Sequence, residues 1–241
     1  MKNNEINLKS QILRIGTASW GIPTKLKHHF PEGKSLLERY SHVFNSVEIN
    51  SSFYRSHQRK TYARWAAVTP ANFLFAVKMP QEITHKHRLV NCDELLTQFI
   101  NEVSALQNKL GPLLIQLPPS LDFKLKVVDN FLKLLRIQFS GHVAVEARHV
   151  SWAASEAVAL LEENNIVQVI ADPVRIEIVH LKNQPFQYYR LHGSPEIYSS
   201  SYQTTFLHHL KARVDDSSFI IFDNTKQGAA TQNALELKHM F

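Results

Sequence analysis

Short apolar runs alternate along the chain with longer segments whose apolar residues recur at helical spacing. The short runs end at polar residues or prolines and predict strands, whereas the longer segments predict amphipathic helices. Strands are predicted at residues 13–17, 46–50, 74–78, 113–116, 142–146, 167–171, 187–192 and 219–224. Helices are predicted at residues 35–44, 61–67, 92–108, 125–137, 154–163, 202–214 and 229–241. Residues 174–185 show no clear helical pattern, so we expect a poorly formed connection there.

Eight strands that alternate with helices indicate an α/β fold in which a parallel sheet is covered on both faces. The chain has 241 residues, and a closed barrel of this type holds about 250 residues. A single (β/α)₈ TIM-type barrel therefore accounts best for the count and length of the strands. A doubly wound open sheet is the alternative. We expect residues 1–241 to form one domain, with residues 1–11 as a short N-terminal extension.

Composition excludes several classes of site. Cys92 is the only cysteine, which rules out an internal disulfide and a metal site built on several thiolates. No apolar run approaches the roughly 20 residues of a membrane helix, and the polar N-terminus has no signal-like apolar region, so we expect a cytoplasmic protein. The glycine-rich motifs that cradle nucleotide phosphates are missing among the seven glycines, and we expect no cofactor.

Polar or charged residues stand at the carboxyl end of nearly every predicted strand after the first. Parallel strands of a barrel bring these ends to one mouth, where the active sites of this fold are built. Residues two apart on a strand point the same way, so members of one strand would face the barrel axis together. The residues in question are Glu48, Asn50, Lys78, Gln116, Glu146, Arg148, Asp172, Arg190, His192 and Asn224.

Acids and bases are balanced at these ends, with Glu48, Glu146 and Asp172 against the same number of cationic side chains. An unpaired ion in a dry interior costs several kcal/mol, so such a cluster persists only when its members are paired or used by a ligand. Divalent metal sites usually have an excess of carboxylates and several imidazoles. We therefore predict an ion-pair network that binds an anion and no metal ion. A metal site of His192 with those three acids is the alternative, and single residues of the set that only hydrogen-bond loops are another.

The first functional hypothesis is an enzyme or binder for a small anionic compound, such as a phosphorylated or acidic sugar. A carboxylate would act as general base and His192 as acid or partner, while Lys78 would form a Schiff base if its neighbours depress its pKa. The catalytic candidates are Glu48, Lys78, Glu146, Asp172 and His192. The substrate-binding candidates are Asn50, Tyr54, His85, Gln116, Arg148, Trp152, Arg190, Tyr198 and Asn224, of which the aromatic ones offer stacking surfaces.

The second hypothesis is a protein that binds nucleic acid or cleaves phosphodiesters. The net charge is +6, and three basic loops follow the first three strands. Basic loops would contact phosphates, and aromatic side chains would stack on bases. These loops carry Lys25, Lys27, His28 and His29, then Arg55, His57, Arg59 and Lys60, then His85, Lys86, His87 and Arg88.

Seven segments in fixed order resemble the YecE-like family, a domain of unknown function (family 72). They are residues 15–20 (IGTASW), 47–55 (VEINSSFYR), 75–85 (FAVKMPQEITH), 111–119 (GPLLIQLPP), 143–152 (VAVEARHVSW), 188–193 (YYRLHG) and 222–235 (FDNTKQGAATQNAL). The resemblance implies a TIM-type barrel and supplies no reaction. Two departures stand out: Asp223 occupies a position where relatives often have asparagine, and residues 21–33 differ from the usual aromatic-rich loop.

Overall fold

Nine strands in the described part of the chain form two sheets in which every neighbouring pair is parallel. The computed structural model describes residues 12–177 and 184–241. The strand order is β1-β9-β8-β7 in the first sheet and β2-β3-β4-β5-β6 in the second. The strands are β1 (Arg14–Thr17), β2 (Ser46–Ile49), β3 (Leu74–Lys78), β4 (Leu110–Gln116), β5 (Val143–Glu146), β6 (Ile166–Gln168), β7 (Ile170–Asp172), β8 (Tyr188–Leu191) and β9 (Phe219–Phe222).

The two sheets meet at both of their edges. A parallel bridge joins Ala18, just after β1, to Glu48 of β2, and the Ser19 amide donates to the Glu48 carbonyl at 2.9 Å. Gly16 permits this approach, because a Cβ atom there would lie 2.2 Å from the Ser46 carbonyl oxygen. At the other edge, the predicted sixth strand at residues 167–171 divides into β6 and β7 around Val169, so one stretch of chain serves both sheets.

Helices cover the strands in the predicted alternation. They are α1 (Leu36–Ser41), α2 (Arg59–Ala67), α3 (Asp93–Val103), α4 (Leu125–Gln138), α5 (Ser155–Glu163), α6 (Thr204–Lys211) and α7 (Ala229–His239). The helix predicted at residues 92–108 ends early, at Val103, and continues as a 3-10 turn in which Gln107 has a φ of 55°. Between β7 and β8, residues 173–177 and 184–187 contain no helix. Residues 178–183 of that connection and the extension predicted at residues 1–11 lie outside the described residues.

Side chains alternate between two separate apolar clusters. One cluster packs the strands against the helices and includes Val47, Val145 and Leu191. The other, here called the inner cluster, draws residues from both sheets: Ala18, Ala76, Leu114, Ala144, Val167, Val169, Phe186, Tyr188, Phe219 and Ile221. This alternation decides which strand-end side chains can meet, because only those in register with the inner cluster face one another. Across residues 12–177 and 184–241, every helix falls short of the length and apolarity needed to span a membrane.

Candidate functional site

Arg190 of β8 lies at the centre of a buried cluster of charges and is 0% exposed. Its guanidinium grips the Glu48 carboxylate with two donors, Nε to Oε2 at 3.0 Å and Nη2 to Oε1 at 2.8 Å. Nη2 also donates to Asp223 Oδ2 at 3.0 Å, and Nη1 donates to Glu146 Oε2 and to Gln116 Oε1. All five N–H donors therefore have acceptors, and this planar fork fixes the positions of the three carboxylates.

His192 is held between two of these carboxylates. Its Nδ1 lies 3.0 Å from Asp223 Oδ2 and its Nε2 lies 3.2 Å from Glu146 Oε1. Both ring nitrogens thus face acceptors, which is the arrangement that an imidazolium satisfies because both of its nitrogens donate. Burial disfavours the charged ring, but the hydrogen bonds to Asp223 and Glu146 outweigh it and raise the pKa of His192. The fold therefore favours the doubly protonated form of His192 more than water does.

Glu146 is the most heavily engaged acid. Besides Arg190 and His192, it accepts from Arg148 Nε at 3.0 Å and Nη2 at 2.7 Å. Burial by itself would raise the pKa of this carboxyl, but Arg190, the His192 hydrogen bond and Arg148 hold it well below its usual value. The pKa of Asp223 is lowered as well, since Arg190 and His192 outweigh the effect of its burial. Both carboxylates are ionised wherever the protein is folded near neutral pH.

Lys78, at the end of β3, is the one cation of the cluster that has no carboxylate partner among the described residues. No carboxylate oxygen of residues 12–177 and 184–241 lies within 4.0 Å of its Nζ. The ammonium instead lies 4.1 Å from the centre of the Phe53 ring, and the side chain is 5% exposed. Burial and the positive charge of Arg190 lower the pKa of Lys78 to about 8, and the nearby carboxylates only partly offset them.

The loop after β2 is fastened to the end of β3, which explains the position of the aromatic ring under Lys78. Ser52 Oγ donates to the Lys78 carbonyl at 2.6 Å and to the Ile49 carbonyl at 2.8 Å. Phe53 follows in the same 3-10 turn (Ser51–Phe53) and is thereby presented to the ammonium. A cation over an aromatic face gains about 0.5–2 kcal/mol, which is weaker compensation than a buried carboxylate provides.

Three predicted site residues lie on the helix side of the strands and outside the cluster. Asp172 accepts from Tyr202 Oη at 2.8 Å and forms no ion pair among the described residues. Asn224 donates through Nδ2 to Asn233 and to a loop carbonyl, and the Trp152 indole donates to a loop carbonyl at 3.0 Å. Asp172 and Asn224 are out of register with the inner cluster along their strands, and Trp152 lies in the 3-10 turn Val150–Ala153, so all three side chains pack against helices and loops.

Asp223 takes the place in the cluster that the sequence assigned to Asp172. The signal that identifies it is the two-residue period of β9, since Phe219 and Ile221 belong to the inner cluster and residue 223 follows in the same direction. Tyr188 was not among the predicted site residues, although the same two-residue period along β8 identifies it. It lies two residues before Arg190 on β8, and its hydroxyl donates to Glu48 Oε2 at 2.9 Å.

The remaining predicted binding residues surround the cluster at different depths. Gln116 is buried against Arg190 and contributes an acceptor. Asn50 is half-buried, and its Oδ1 is a buried atom with no hydrogen-bond partner among the described residues. His85 packs edge-on against Phe53, with ring centres 4.9 Å apart, and burial, Lys78 and Arg148 lower its pKa.

Two exposed tyrosines flank this region from different loops. Tyr198 is 40% exposed, and its ring meets His192 edge-on with centres 5.7 Å apart. Tyr54 is 69% exposed and lies next to a cavity of about 240 Å³ that Phe53 also lines. The charged members of the cluster are little exposed to solvent, and Arg148 is the most accessible of them with a side chain that is 14% exposed.

The donor set does not match a metal site in the described residues. No three histidine, cysteine, aspartate or glutamate side chains among residues 12–177 and 184–241 are disposed to hold one ion. The alternative set of His192, Glu48, Glu146 and Asp172 is not assembled, because Asp172 lies on the helix side and the others bind Arg190 or each other. Independence from metal stays a prediction, which elemental analysis of the purified protein tests.

Comparison with known proteins places the chain in a family. Residues 14–241 match the family described as "Protein of unknown function DUF72". The UPF0759 protein YecE of Escherichia coli O157:H7 is 31% identical over 167 residues, which are 67% of this chain and 59% of that protein. The chain spans between one half and three fifths of the length of the curated relatives it matches.

Solved structures extend the likeness to nearly the whole chain. A DUF72 family protein from Thermotoga maritima is 25% identical, covers 95% of this chain and 98% of its own, and superposes with a TM-score of 0.77. A D-allulose 3-epimerase from Methylomonas sp. is 11% identical, covers 95% of this chain and 97% of its own, and has a TM-score of 0.50. The resemblance to the YecE-like family is thus confirmed, and the chain belongs to the DUF72 family of proteins of unknown function.

Proposed function

We propose that the two sheets form one closed (β/α)₈ barrel whose strand ends bind a small anionic, sugar-like compound on which the protein acts as an enzyme. Contacts at both sheet edges support closure, and so does the inner cluster shared by the two sheets. The moderate likeness to the fold of a sugar epimerase is consistent with it.

The isolation of Lys78 from carboxylates in the described part of the chain is the observation that carries the proposal. The three carboxylates of the cluster are bound directly by Arg190, Arg148 and His192. Lys78 adds one positive charge that has no carboxylate partner among the described residues. Because a buried charge without a partner is costly, an anion supplied by a ligand is the natural counterion. Its binding would be favoured further by Arg148 nearby.

Three features support a hydroxylated and small ligand. The Oδ1 of Asn50, which has no partner among the described residues, follows β2 in register with Lys78 on β3 and can accept a hydrogen bond from a hydroxyl group. The low exposure of Lys78 and Arg148 favours a small compound over a polymer. Tyr198 beside His192 offers an exposed aromatic face for a sugar ring.

The acid–base roles follow from the protonation states. Glu146 is poorly suited as a general base because it is fully hydrogen-bonded and its pKa is held low. Lys78 is better suited, since burial and the charge of Arg190 lower its pKa to about 8. We assign proton transfer to Lys78, while Arg190 positions the carboxylates and contacts no ligand.

A thermal-shift series tests the proposal. Phosphate and small sugar phosphates should raise the Tm of wild type, neutral sugars should do so less, and Lys78→Met should lose the phosphate response. Lys133→Met is the matched control, because Lys133 is an exposed helix residue paired with Asp129. Equal stabilisation of wild type and Lys78→Met by these anions would show that the anion site lies elsewhere.

Nucleic-acid binding is the second candidate from the sequence, and the structure gives it weaker support. Arg59 donates to Asn101, Lys86 pairs with Glu82, and Arg88 donates to the loop after β4. These basic side chains are therefore partly neutralised or tied to the surface. Binding to single-stranded DNA or RNA that weakens steeply with salt would favour this candidate over the first.

A further inference from the structure

We propose that Lys78 is a nucleophile that forms an imine with the carbonyl group of a small anionic oxo compound. The inference rests on the proposed anion-binding function, which it deepens by naming the substrate class and the reacting atom. It is carried by the position of Lys78 at a strand end, by its lack of acceptors, and by the charges that surround it.

The surroundings of Lys78 differ from those of a lysine with a structural role in the same chain. Lys109 Nζ donates to the carbonyls of Ala66 and Thr69, both at 2.6 Å, and to Thr69 Oγ1 at 3.2 Å. Lys78 Nζ has no such acceptor among the described residues and faces the Phe53 ring instead. Burial lowers the pKa of Lys109 as well, but its carbonyl acceptors favour the ammonium, whereas Lys78 lies against an aromatic ring and beside Arg190 and loses its proton more readily.

The free amine is accordingly accessible near neutral pH. The groups that act on Lys78 are Arg190, which opposes its charge, and the carboxylates of Glu48, Asp223 and Glu146, which favour it. The resulting pKa of about 8, against 10.5 for an ordinary lysine, gives roughly 300 times more free amine at about pH 7. A nucleophilic lysine depends on this kind of depression by burial and a neighbouring cation.

The reaction requires no external oxidant or reductant. The Nζ lone pair of the neutral amine forms a bond to the carbonyl carbon, and one amine proton passes to the carbonyl oxygen to give a carbinolamine. The C–O bond then breaks, the oxygen leaves as water with the second amine proton, and a C=N bond remains.

The same residues indicate why the carbonyl compound should be anionic. Formation of a neutral imine consumes the amine, and Arg148 is the remaining cation that would hold a carboxylate or phosphate close to the carbonyl. Its side chain is 14% exposed, whereas Arg190 is buried and saturated by carboxylates and Gln116. We therefore place the anionic group toward Arg148 and the carbonyl carbon toward Lys78.

Reductive trapping tests the assignment. Wild-type protein is incubated with sodium cyanoborohydride and either pyruvate or glyceraldehyde 3-phosphate, and the adducts are located by peptide mass spectrometry. We expect Lys78 to be modified about tenfold or more faster than other lysines, given its larger free-amine fraction. The modification rate should rise with pH up to about 8 and then level off, following the pKa of Lys78. Neutral glyceraldehyde should react more slowly at Lys78 than its phosphate does.

Lys78→Arg separates this inference from the proposed function. Arginine keeps the positive charge and cannot form an imine, so this variant should still be stabilised by phosphate while giving no adduct at residue 78. If wild type is stabilised by phosphate but modified at Lys78 no faster than at Lys109 or Lys133, the nucleophile assignment is wrong and the anion site stands. If phosphate stabilises neither wild type nor Lys78→Arg, and no adduct forms at Lys78, both proposals fail.

Discussion

Replacing Lys78 by methionine should make the protein more stable at neutral pH, which is unusual for a change at a buried charge. The pKa of Lys78 falls from 10.5 to about 8 in the folded protein. At about 1.4 kcal/mol per pKa unit, keeping this ammonium charged costs the fold roughly 3 kcal/mol at pH 7. Methionine has a similar length and no charge. Allowing about 0.5–1 kcal/mol for the lost contact with Phe53, we expect a gain of roughly 2–3 kcal/mol in the free energy of unfolding.

The pH dependence gives this prediction a second signature. A base whose folded pKa is lowered binds fewer protons in the folded state, so wild type gains stability as the pH rises from about 8 toward 10.5. The advantage of Lys78→Met should therefore shrink to roughly 1 kcal/mol or less at pH 10. Urea unfolding of both proteins, followed by circular dichroism at pH 7 and pH 10, measures this difference. A Lys78→Met protein that is destabilised by several kcal/mol at pH 7 would refute the reasoning, because it would mean that the ammonium is satisfied by the fold.

The remaining predictions concern the rest of the cluster. Arg190→Met should lower the free energy of unfolding by about 3–5 kcal/mol, because it removes the counterion of buried carboxylates. Arg148→Met should lower it less in the same urea titration. Equal losses in the two variants would contradict the central role of Arg190. The pKa of His192 is raised in the folded protein, so the stabilisation it contributes should be complete below the pKa of the unfolded state, about 6.5. This stabilisation should be lost as the pH rises through the pKa of the folded state. In ¹⁵N NMR at neutral pH, we expect both ring nitrogens to be protonated. A neutral ring there would contradict this expectation. Asp223→Asn should lower the pKa of His192 in the same NMR titration and Asp172→Asn should leave it unchanged, since Asp172 bonds only on the helix side.

The linear pattern of the chain was enough to predict the parallel α/β fold. Strands buried on both faces are continuous apolar runs, and their order with intervening helices follows from simple alternation. The predicted strands at residues 46–50, 74–78 and 142–146 agree closely with β2, β3 and β5. The division of the sixth strand around Val169 was not predictable, because that segment pairs with different neighbours at its two ends.

Much of the candidate cluster could also be read from the sequence. Polar residues at the ends of apolar strands identified Glu48, Lys78, Glu146, Arg190 and His192, and the structure brings these residues together. The two-residue repeat of a strand also predicted that Glu146 and Arg148 point the same way, and the two side chains are hydrogen-bonded. These successes have one cause: a side chain's direction on a strand repeats every two residues, so local sequence fixes relative orientation along that strand.

The tertiary structure alone decided which alternate residues of each strand face the inner cluster and which charged side chains form pairs. Asp172 and Asp223 both end strands, and only the register with the inner cluster shows that Asp223 joins Arg190 while Asp172 bonds Tyr202. The sequence likewise did not show that Lys78 is the cation of the cluster without a carboxylate partner among the described residues, because acids and bases simply balance there. Pairing depends on distances of a few ångströms between side chains up to 142 positions apart. Such distances are set by how the strands are staggered and how deeply each group is buried, and these properties belong to the packed sheet as a whole.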